Sequence, residues 1–347
     1  MKKKLLALAL AAVLAVGAFT GCGSSTKDQT SEENTQKSGV DTQAEVKNDT
    51  VIRVGGLKGP TSMGLAKLLD DATNKKSDLN IEFTMAAAAD ELTPSFIQGN
   101  LDIMAVPSNL ASVLYNKTNG EAQVLAVNTL GVLYVVDKGE SVSSIADLKG
   151  KTIMATGQGA TPEYCLKYLL QQNGLDPEKD VTIEWKSEPT EIVAAMAQST
   201  EETIAMLPQP FVTVAQSKVE GLNVAIDLNK EWNNLNNGSS LITGVVVVRK
   251  AFAQENPELI SAFLEEYKAS IEYANSNVEE TAALIEGLGI VEKAAIAQKA
   301  LPQCNIAYMD GTEMKTALSG YLQILSDQDA KSVGGKLPAD DFYYNAK

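Results

Sequence analysis

Four short segments of this 347-residue chain combine small, hydroxyl and amide residues with a nearby lysine or proline. They occupy residues 58–62, 107–109, 157–161 and 208–211. Hydroxyl groups, amide groups and the free backbone N–H groups at helix starts donate hydrogen bonds to anions and polar solutes. The residue types therefore predict binding rather than catalysis. The candidate residues are Lys58, Gly59, Thr61, Ser62, Ser108, Asn109, Gln158, Gly159, Ala160, Thr161 and Gln209.

Several candidates have a structural alternative. Thr161-Pro162-Glu163 fits an N-cap, a proline in the first helical turn and an acid after it, so Thr161 could serve only as a cap. Thr61 and Ser62 could cap a helix in the same way. Other residues that could bind a solute or have a purely local role are Lys58, Asn109, Tyr115, Tyr134, Tyr164, Pro208 and Pro210.

The composition removes several classes of function. The chain has no histidine, which excludes Ser-His-Asp and Cys-His catalysis and histidine-ligated metal sites. Its net charge is −15, and its only arginines are Arg53 and Arg249, so nucleic-acid binding through basic patches is not expected. We expect no cofactor and no metal. Cys165 and Cys304 are predicted to be free and buried, because nothing in their spacing requires a disulfide.

The amino terminus has the features of an export signal. Lys2–Lys4 precede the apolar run Leu5–Val16, which is shorter than the roughly 18–20 residues that span a bilayer. Phe19-Thr20-Gly21-Cys22 resembles the bacterial lipobox, although leucine is usual where Phe19 stands. We expect a lipoprotein signal peptide at residues 1–21 and acylation of Cys22, the alternative being an ordinary buried cysteine. Removal of three lysines and no acid would change the net charge from −15 to −18.

Residues 22–49 are predicted to be a disordered tether, because they are almost entirely polar. From Val51 onward, short apolar runs alternate with helical patterns, which is typical of α/β folds with parallel sheets and right-handed crossovers. One helix is predicted from Thr61 to Ala72. Two apolar stretches, Leu130–Val136 and Leu241–Val248, are predicted to cross between two lobes.

About 300 residues can fill two hydrophobic cores. We predict two Rossmann-like lobes joined by a two-strand hinge, with lobe 1 at 50–129 and 241–347 and lobe 2 at 130–240. Matching residues recur at an offset near one hundred. The matched pairs are Gly59 and Gly159, Thr61 and Thr161, Lys67 and Lys167, Leu69 and Leu169, and Val106-Pro107 and Leu207-Pro208.

The order of these motifs resembles the nitrate/sulfonate/taurine class of solute-binding proteins, with the type II periplasmic binding protein fold. The resemblance covers about residues 50–347 and is carried by Gly59–Ser62, Asp102–Asn109, Gly157–Glu163 and Leu207–Phe211. Family members often have an acid where Gln209 stands, so that contact does not transfer directly.

This resemblance implies an extracytoplasmic solute-binding component of an ABC importer. Its partners would be a permease, an ATPase and a small solute, with the lipid anchor as its only contact with the membrane. The alternatives are an enzyme of vitamin or quinone precursor metabolism on the same fold, and a ligand-sensing module. The solute is expected to be a small organic anion such as a sulfonate or carboxylate, although a stacked heteroaromatic precursor stays open.

Overall fold

The computed structural model describes residues 50–345. The predicted signal peptide, the acylated Cys22 and the tether therefore lie outside the described residues. Among the residues that are described, no helix is both long and apolar enough to cross a membrane.

Eleven strands are formed within residues 50–345. They are β1 (Val51–Leu57), β2 (Asn80–Ala86), β3 (Ile103–Pro107), β4 (Ala122–Leu130), β5 (Leu133–Lys138), β6 (Thr152–Ala155), β7 (Thr182–Trp185), β8 (Thr203–Pro208), β9 (Leu222–Asp227), β10 (Ile242–Arg249) and β11 (Ile306–Met309).

Thirteen α-helices accompany them in the described part of the chain. They are α1 (Pro60–Met63), α2 (Ala66–Thr73), α3 (Ala89–Ile97), α4 (Ser108–Lys117), α5 (Thr161–Gln172), α6 (Pro189–Gln198), α7 (Phe211–Lys218), α8 (Leu228–Asn234), α9 (Lys250–Glu255), α10 (Pro257–Ser276), α11 (Val278–Gly287), α12 (Ala294–Ala300) and α13 (Gly311–Gln328). Short 3₁₀ turns lie at Ile145–Leu148, Leu301–Gln303, Ala330–Val333 and Asp340–Phe342.

The strands form two sheets, and the predicted α/β fold class is confirmed. The first has the order β11-β4-β10-β3-β1-β2, and the second the order β7-β6-β8-β5-β9. Within the first sheet β1 is parallel to β2 and β3, and β10 is antiparallel to β3 and β4. In the second sheet β6 is parallel to β7 and β8, and β5 is antiparallel to β8 and β9. We call the parts built on these sheets the first and second lobes.

The two sheets repeat one plan. In each sheet one strand, β1 or β6, is parallel to two neighbours, β2 and β3 or β7 and β8. An antiparallel strand, β10 or β5, then separates β3 from β4 or β8 from β9. Val54 pairs with Ile103 in the first lobe, as Ile153 pairs with Ile204 in the second. The matches at an offset near one hundred therefore fall at equivalent positions of the two lobes.

One hydrophobic cluster continues through both lobes. It contains Val247 of the first sheet, Met206 of the second, and Tyr321 and Leu325 of α13. Helix α13 packs against both α4 and α5, which belong to different lobes. The carboxy-terminal helix therefore does more than cover the first lobe, since it also fastens the second lobe to it.

The predicted helix from Thr61 to Ala72 is interrupted, because the chain forms α1 and α2 with a break at Gly64 and Leu65. The Ser270 hydroxyl of α10 accepts from the Leu68 N–H at 3.0 Å and donates to the Gly64 carbonyl at 2.7 Å. In a continuous helix these two backbone groups would bond to each other. Insertion of a side chain into this ladder is a known cause of a helix break.

The predicted bounds of the crossing segments also need correction. Strand β4 ends at Leu130 and β5 begins at Leu133, so Gly131 and Val132 make the first crossing. The second crossing is at residues 235–241, because β10 lies wholly within the first sheet. Both crossings are short segments between strands or helices rather than single long strands.

Candidate functional site

A cavity of about 250 Å³ lies beyond the carboxyl ends of two parallel strands, β3 of the first lobe and β8 of the second. This edge is where ligands bind in open α/β sheets. Both lobes and the first crossing contribute to its wall. The lining residues are Pro107, Asn109, Leu110, Val132, Leu133, Ala160, Thr161, Pro162, Pro208 and Thr243.

Strand ends and helix starts place several of the lining residues. Pro107 is the last residue of β3, and α4 begins at the next residue, so Asn109 and Leu110 occupy the first turn of that helix. Pro208 ends β8 in the equivalent place of the second lobe. Proline suits both the end of a strand and the first helical turn because it lacks an N–H donor.

One side-chain hydrogen bond joins the lobes at the cavity. The Thr161 hydroxyl of α5 donates to Asn109 Oδ1 of α4 at 3.2 Å. Asn109 Nδ2 donates in turn to the Ser332 carbonyl at 3.3 Å, which fixes the amide from its other side. Thr161 is 7% exposed, so this contact is shielded from solvent. The two loops predicted from opposite halves of the sequence meet here.

The alternative in which Thr161 caps its helix is wrong. The N-cap residue of α5 is Ala160, and Thr161 is the first helical residue, with no side-chain cap bond at this end. The hydroxyl is used across the lobe boundary instead. Pro162 is correctly placed in the first helical turn and lines the cavity.

Gln209 joins the lobes rather than facing the cavity. Its side chain is 1% exposed, and its Oε1 accepts from the Thr213 hydroxyl at 3.0 Å. Its Nε2 donates to Gln303 Oε1 of the first lobe at 2.7 Å. The Tyr134 hydroxyl donates to the Gln303 carbonyl at 2.8 Å. Every polar atom of the Gln209 side chain is therefore engaged within the protein.

A third hydrogen bond between the lobes lies at the start of α5. The Tyr164 hydroxyl donates to Asp329 Oδ2 of the first lobe at 3.3 Å. Burial and the negative charge of Asp329 raise the pKa of Tyr164, so this hydroxyl keeps its proton. Tyr115 donates to Asp341 Oδ1 at 2.5 Å and packs on Phe342. The three tyrosines considered as stacking residues (Tyr115, Tyr134 and Tyr164) are therefore engaged away from the cavity wall.

Seven further predicted residues do not line the cavity: Lys58, Gly59, Thr61, Ser62, Ser108, Gln158 and Gly159. Ser108 is buried and its hydroxyl donates to the Ile242 carbonyl at 2.6 Å, which anchors α4 to β10. Thr61 accepts a bond at its carbonyl from Asn128 Nδ2 at 2.9 Å. Ser62 is buried, and its hydroxyl has no hydrogen-bond partner among residues 50–345. Lys58, Gln158 and Gly159 are exposed, and Gly59 is the N-cap residue of α1. Their roles in binding stay predictions.

The positive end of α5 is already occupied by a carboxylate. Glu163 Oε2 accepts from the Gly159 N–H at 2.6 Å, and its Oε1 forms an ion pair with Lys167 at 2.8 Å. Burial alone would raise the pKa of Glu163, but the bonds from Lys167 and Gly159 outweigh it and hold the pKa below its usual value. The carboxylate is therefore ionised at neutral pH, and it already bonds the Gly159 N–H just ahead of this helix start.

Four lining residues were missed by sequence reasoning: Leu110, Val132, Leu133 and Thr243. The signal was present, because three of them lie in the two apolar stretches predicted to cross between lobes.

The buried cysteines do not contribute to the cavity. Cys165 and Cys304 are free and buried, as predicted, and burial raises the pKa of both thiols. Within residues 50–345, no group of three or more Cys, Asp or Glu side chains is arranged to hold a metal ion.

Comparisons with known proteins agree with this architecture. A crystal structure of an ABC transporter from Parabacteroides distasonis is 26% identical and has a TM-score of 0.73, covering 86% of this chain and 100% of that one. The periplasmic aliphatic sulphonate binding protein SsuA from Escherichia coli is 17% identical with a TM-score of 0.68, covering 86% of this chain and 92% of that one. The fold implied by the sequence resemblance is confirmed.

Among curated proteins, a putative binding protein of Brucella abortus is 24% identical over 187 residues. The alignment covers 54% of this chain and 56% of the relative, so the chain spans about half the length of the curated relatives it matches. The model of the family described as NMT1/THI5 like matches residues 75–281, which include parts of both lobes. This protein therefore belongs to the NMT1/THI5-like family.

Proposed function

We propose that this protein is the extracytoplasmic solute-binding component of an ABC importer. The observation that carries the proposal is the cavity whose wall comes from both lobes and from the crossing between them. A solute in this cavity contacts Asn109 on one lobe and Thr161 on the other. It therefore stabilises a closed form, in which the lobes meet around it, over an open form, in which they are apart. Only such a difference in affinity can shift the equilibrium between two forms.

The chemistry of the wall favours binding over catalysis. The polar side chains of the wall are Asn109, Thr161 and Thr243. Asparagine and threonine are not among the side chains that usually act as general acids or bases at neutral pH. The two thiols are buried elsewhere with raised pKa values. The Parabacteroides structure is described as an ABC transporter and the Brucella relatives as putative binding proteins, which supports the same function.

The partners follow from this function. The two bodies that close are proposed to be residues 50–129 with 241–347, and residues 130–240. Closure brings surface from both bodies together, and a permease can distinguish that surface from the open form. The ATPase partner would then drive import. Acylation of Cys22 and a flexible segment at 23–49 would keep the protein at the outer face of the membrane.

Native mass spectrometry of the protein purified from its own cells tests the binding site. Leu110→Trp adds bulk inside the cavity, and Ile97→Trp adds the same bulk at a residue that is 50% exposed and outside the wall. We expect a small molecule bound to the parent protein and to Ile97→Trp, but not to Leu110→Trp. A bound molecule that persists in a folded Leu110→Trp protein would show that the cavity is not the site.

The anchor is tested separately. Cys22→Ser should leave the protein unprocessed or released, with no mature form in the detergent phase of membrane extracts. A mature protein that still requires detergent in this variant would contradict acylation at Cys22.

A further inference from the structure

The wall of the cavity carries no charged side chain among the residues described. Seven of its ten residues are apolar: Pro107, Leu110, Val132, Leu133, Ala160, Pro162 and Pro208. An ion moved into such surroundings loses its hydration and gains no opposite charge in return. The lining therefore disfavours both anions and cations relative to an uncharged molecule of the same shape.

The cationic side chains that could neutralise an anion are paired elsewhere or lie outside the wall. Arg53 and Arg249 are the only arginines of the chain, and both bind the buried Asp102. Lys167 is paired with Glu163 and Glu178 at 2.8 Å each. Lys58 is exposed and is not part of the wall.

Two carboxylates flank the start of α5 instead. Glu163 accepts the Gly159 N–H, and Asp329 accepts the Tyr164 hydroxyl from the first lobe. Burial, the charge of Asp329 and, to a smaller extent, the charge of Glu163 raise the pKa of Tyr164. An anion that approached the cavity from this side would be repelled.

The polar side chains of the wall mostly present acceptors. The Thr161 hydroxyl donates its hydrogen to Asn109, and the Thr243 hydroxyl donates its own to the Leu130 carbonyl at 2.5 Å. Each hydroxyl then has only lone pairs left for a solute. A solute with an N–H or O–H group can donate to them, whereas a sulfonate or carboxylate cannot.

The size of the cavity limits the solute. An apolar cavity of about 150 Å³ holds benzene, so the present cavity of about 250 Å³ has room for roughly ten non-hydrogen atoms. Resting on the proposed function, we infer that the imported solute is an uncharged molecule of about this size, with an apolar body and at least one N–H or O–H donor. This replaces the organic anion expected from the sequence.

A matched pair of probes tests the inference by calorimetry on the full mature chain. Cyclohexanecarboxamide and cyclohexanecarboxylate share one skeleton and differ in charge near pH 7, since a carboxyl group titrates at about 4–5. We expect the amide to bind at least about tenfold more tightly than the carboxylate, because the wall offers no counter-charge. Cyclohexylmethylammonium should also bind at least about tenfold more weakly than the amide.

Three results would overturn the inference. The carboxylate could bind as tightly as the amide, the ammonium could do so, or none of the probes could bind at millimolar concentration although the cavity admits them all. The proposed function would survive the first two results. It would fail only if the protein also purified from its own cells without any bound small molecule.

Variants test whether the preference for the amide over the carboxylate arises in the cavity. Leu110→Lys places a cation on the wall and should reverse the preference, so that the carboxylate binds more tightly than the amide. Ile97→Lys adds the same charge at an exposed position outside the wall and should leave the preference unchanged. Thr243→Val, which removes an acceptor with little change of shape, should weaken the amide about threefold or more and leave the carboxylate unaffected. A preference that does not respond to Leu110→Lys and Thr243→Val in folded proteins would contradict the inference.

Discussion

In the first lobe Asp102 directly precedes the third strand, β3, and in the second lobe Glu202 directly precedes its counterpart, β8. Asp102 is fully buried and binds two arginines, with Arg53 NH2 and Arg249 NH2 each 2.6 Å from its Oδ1. Glu202 is exposed and pairs with Lys151 at 3.0 Å. The same place in the repeated plan holds a buried ion cluster in one lobe and a surface ion pair in the other.

The two lobes differ a second time at the carboxyl ends of their parallel strands. Thr61 and Thr161 match in the repeat, but Thr161 lines the cavity whereas Thr61 packs against β10. In the second lobe α5 runs for twelve residues without a break. In the first lobe the Ser270 hydroxyl interrupts the helix after four residues. Equivalent sequence positions in the two lobes therefore do not imply equivalent contacts.

The largest expected effect comes from Asp102→Asn. The variant leaves two guanidinium groups facing a neutral amide at a buried position. Because both arginines are partly exposed, we expect a loss of about 2–3 kcal/mol of unfolding free energy rather than the full cost of breaking a buried pair. Urea denaturation measures it. The matched control is Glu202→Gln, which should unfold at the same denaturant concentration as the parent.

This first prediction also has a pH dependence. Burial would raise the pKa of Asp102, but the hydrogen bonds from Arg53 and Arg249 outweigh it and leave the pKa below its usual value. A carboxyl whose folded pKa is depressed stabilises the fold above its unfolded pKa, about 3.9, and loses that contribution as the pH falls through the folded value. The difference between the parent and Asp102→Asn should therefore shrink below about pH 4. A difference that stays constant in that range, or a large effect of Glu202→Gln, would contradict the contrast between the lobes.

The next effect concerns the helix break. Ser270→Ala leaves the Leu68 N–H and the Gly64 carbonyl without the hydroxyl that joins them in a buried setting. We expect a loss of about 2 kcal/mol of unfolding free energy. Ser276→Ala in the same helix is the control, since that hydroxyl is exposed and bonds only to the Glu272 carbonyl one turn earlier. Equal stabilities of the two variants would show that Ser270 does not hold the break.

The alternation of strands and helices was predictable from local periodicity, the two lobes from the length of the chain, and the repeat from residues that match at an offset near one hundred. The break at Gly64 was not, since Ser270 lies about two hundred residues away in sequence. The choice between the two roles open to Thr161, solute binding and a helix cap, could not be made from the sequence for a similar reason. Its local pattern fits a cap, but Asn109 of the other lobe competes for the hydroxyl. Local patterns predicted the elements, whereas contacts between lobes decided which side chains reach the cavity.

A smaller effect is expected at the matched threonines. Thr161→Val removes the hydroxyl that bonds to Asn109 and faces the cavity, so the affinity for cyclohexanecarboxamide should fall by about 1 kcal/mol. Thr61→Val should leave the affinity unchanged, because it is the Thr61 carbonyl that holds Asn128. Calorimetry on both variants compares them directly. If Thr61→Val weakened binding as much as Thr161→Val, the two loops would be equivalent after all.

The smallest effect is expected at Ser62. Its side chain is buried, and its hydroxyl finds no partner in residues 50–345. The site is also crowded, because a Cβ on Gly56 would lie 2.5 Å from Ser62 Oγ. Removal of an unsatisfied buried hydroxyl costs nothing in lost hydrogen bonds, so Ser62→Ala should leave the unfolding free energy unchanged or raise it by up to about 1 kcal/mol.

Ser108→Ala is the matched comparison, because that equally buried hydroxyl donates to the Ile242 carbonyl at 2.6 Å. Its loss should cost about 1–2 kcal/mol in the same urea titration. If Ser62→Ala were as destabilising as Ser108→Ala, the Ser62 hydroxyl would have a bonding partner, and the loop at 58–62 would be held as firmly as the loop at 107–109 of the same lobe.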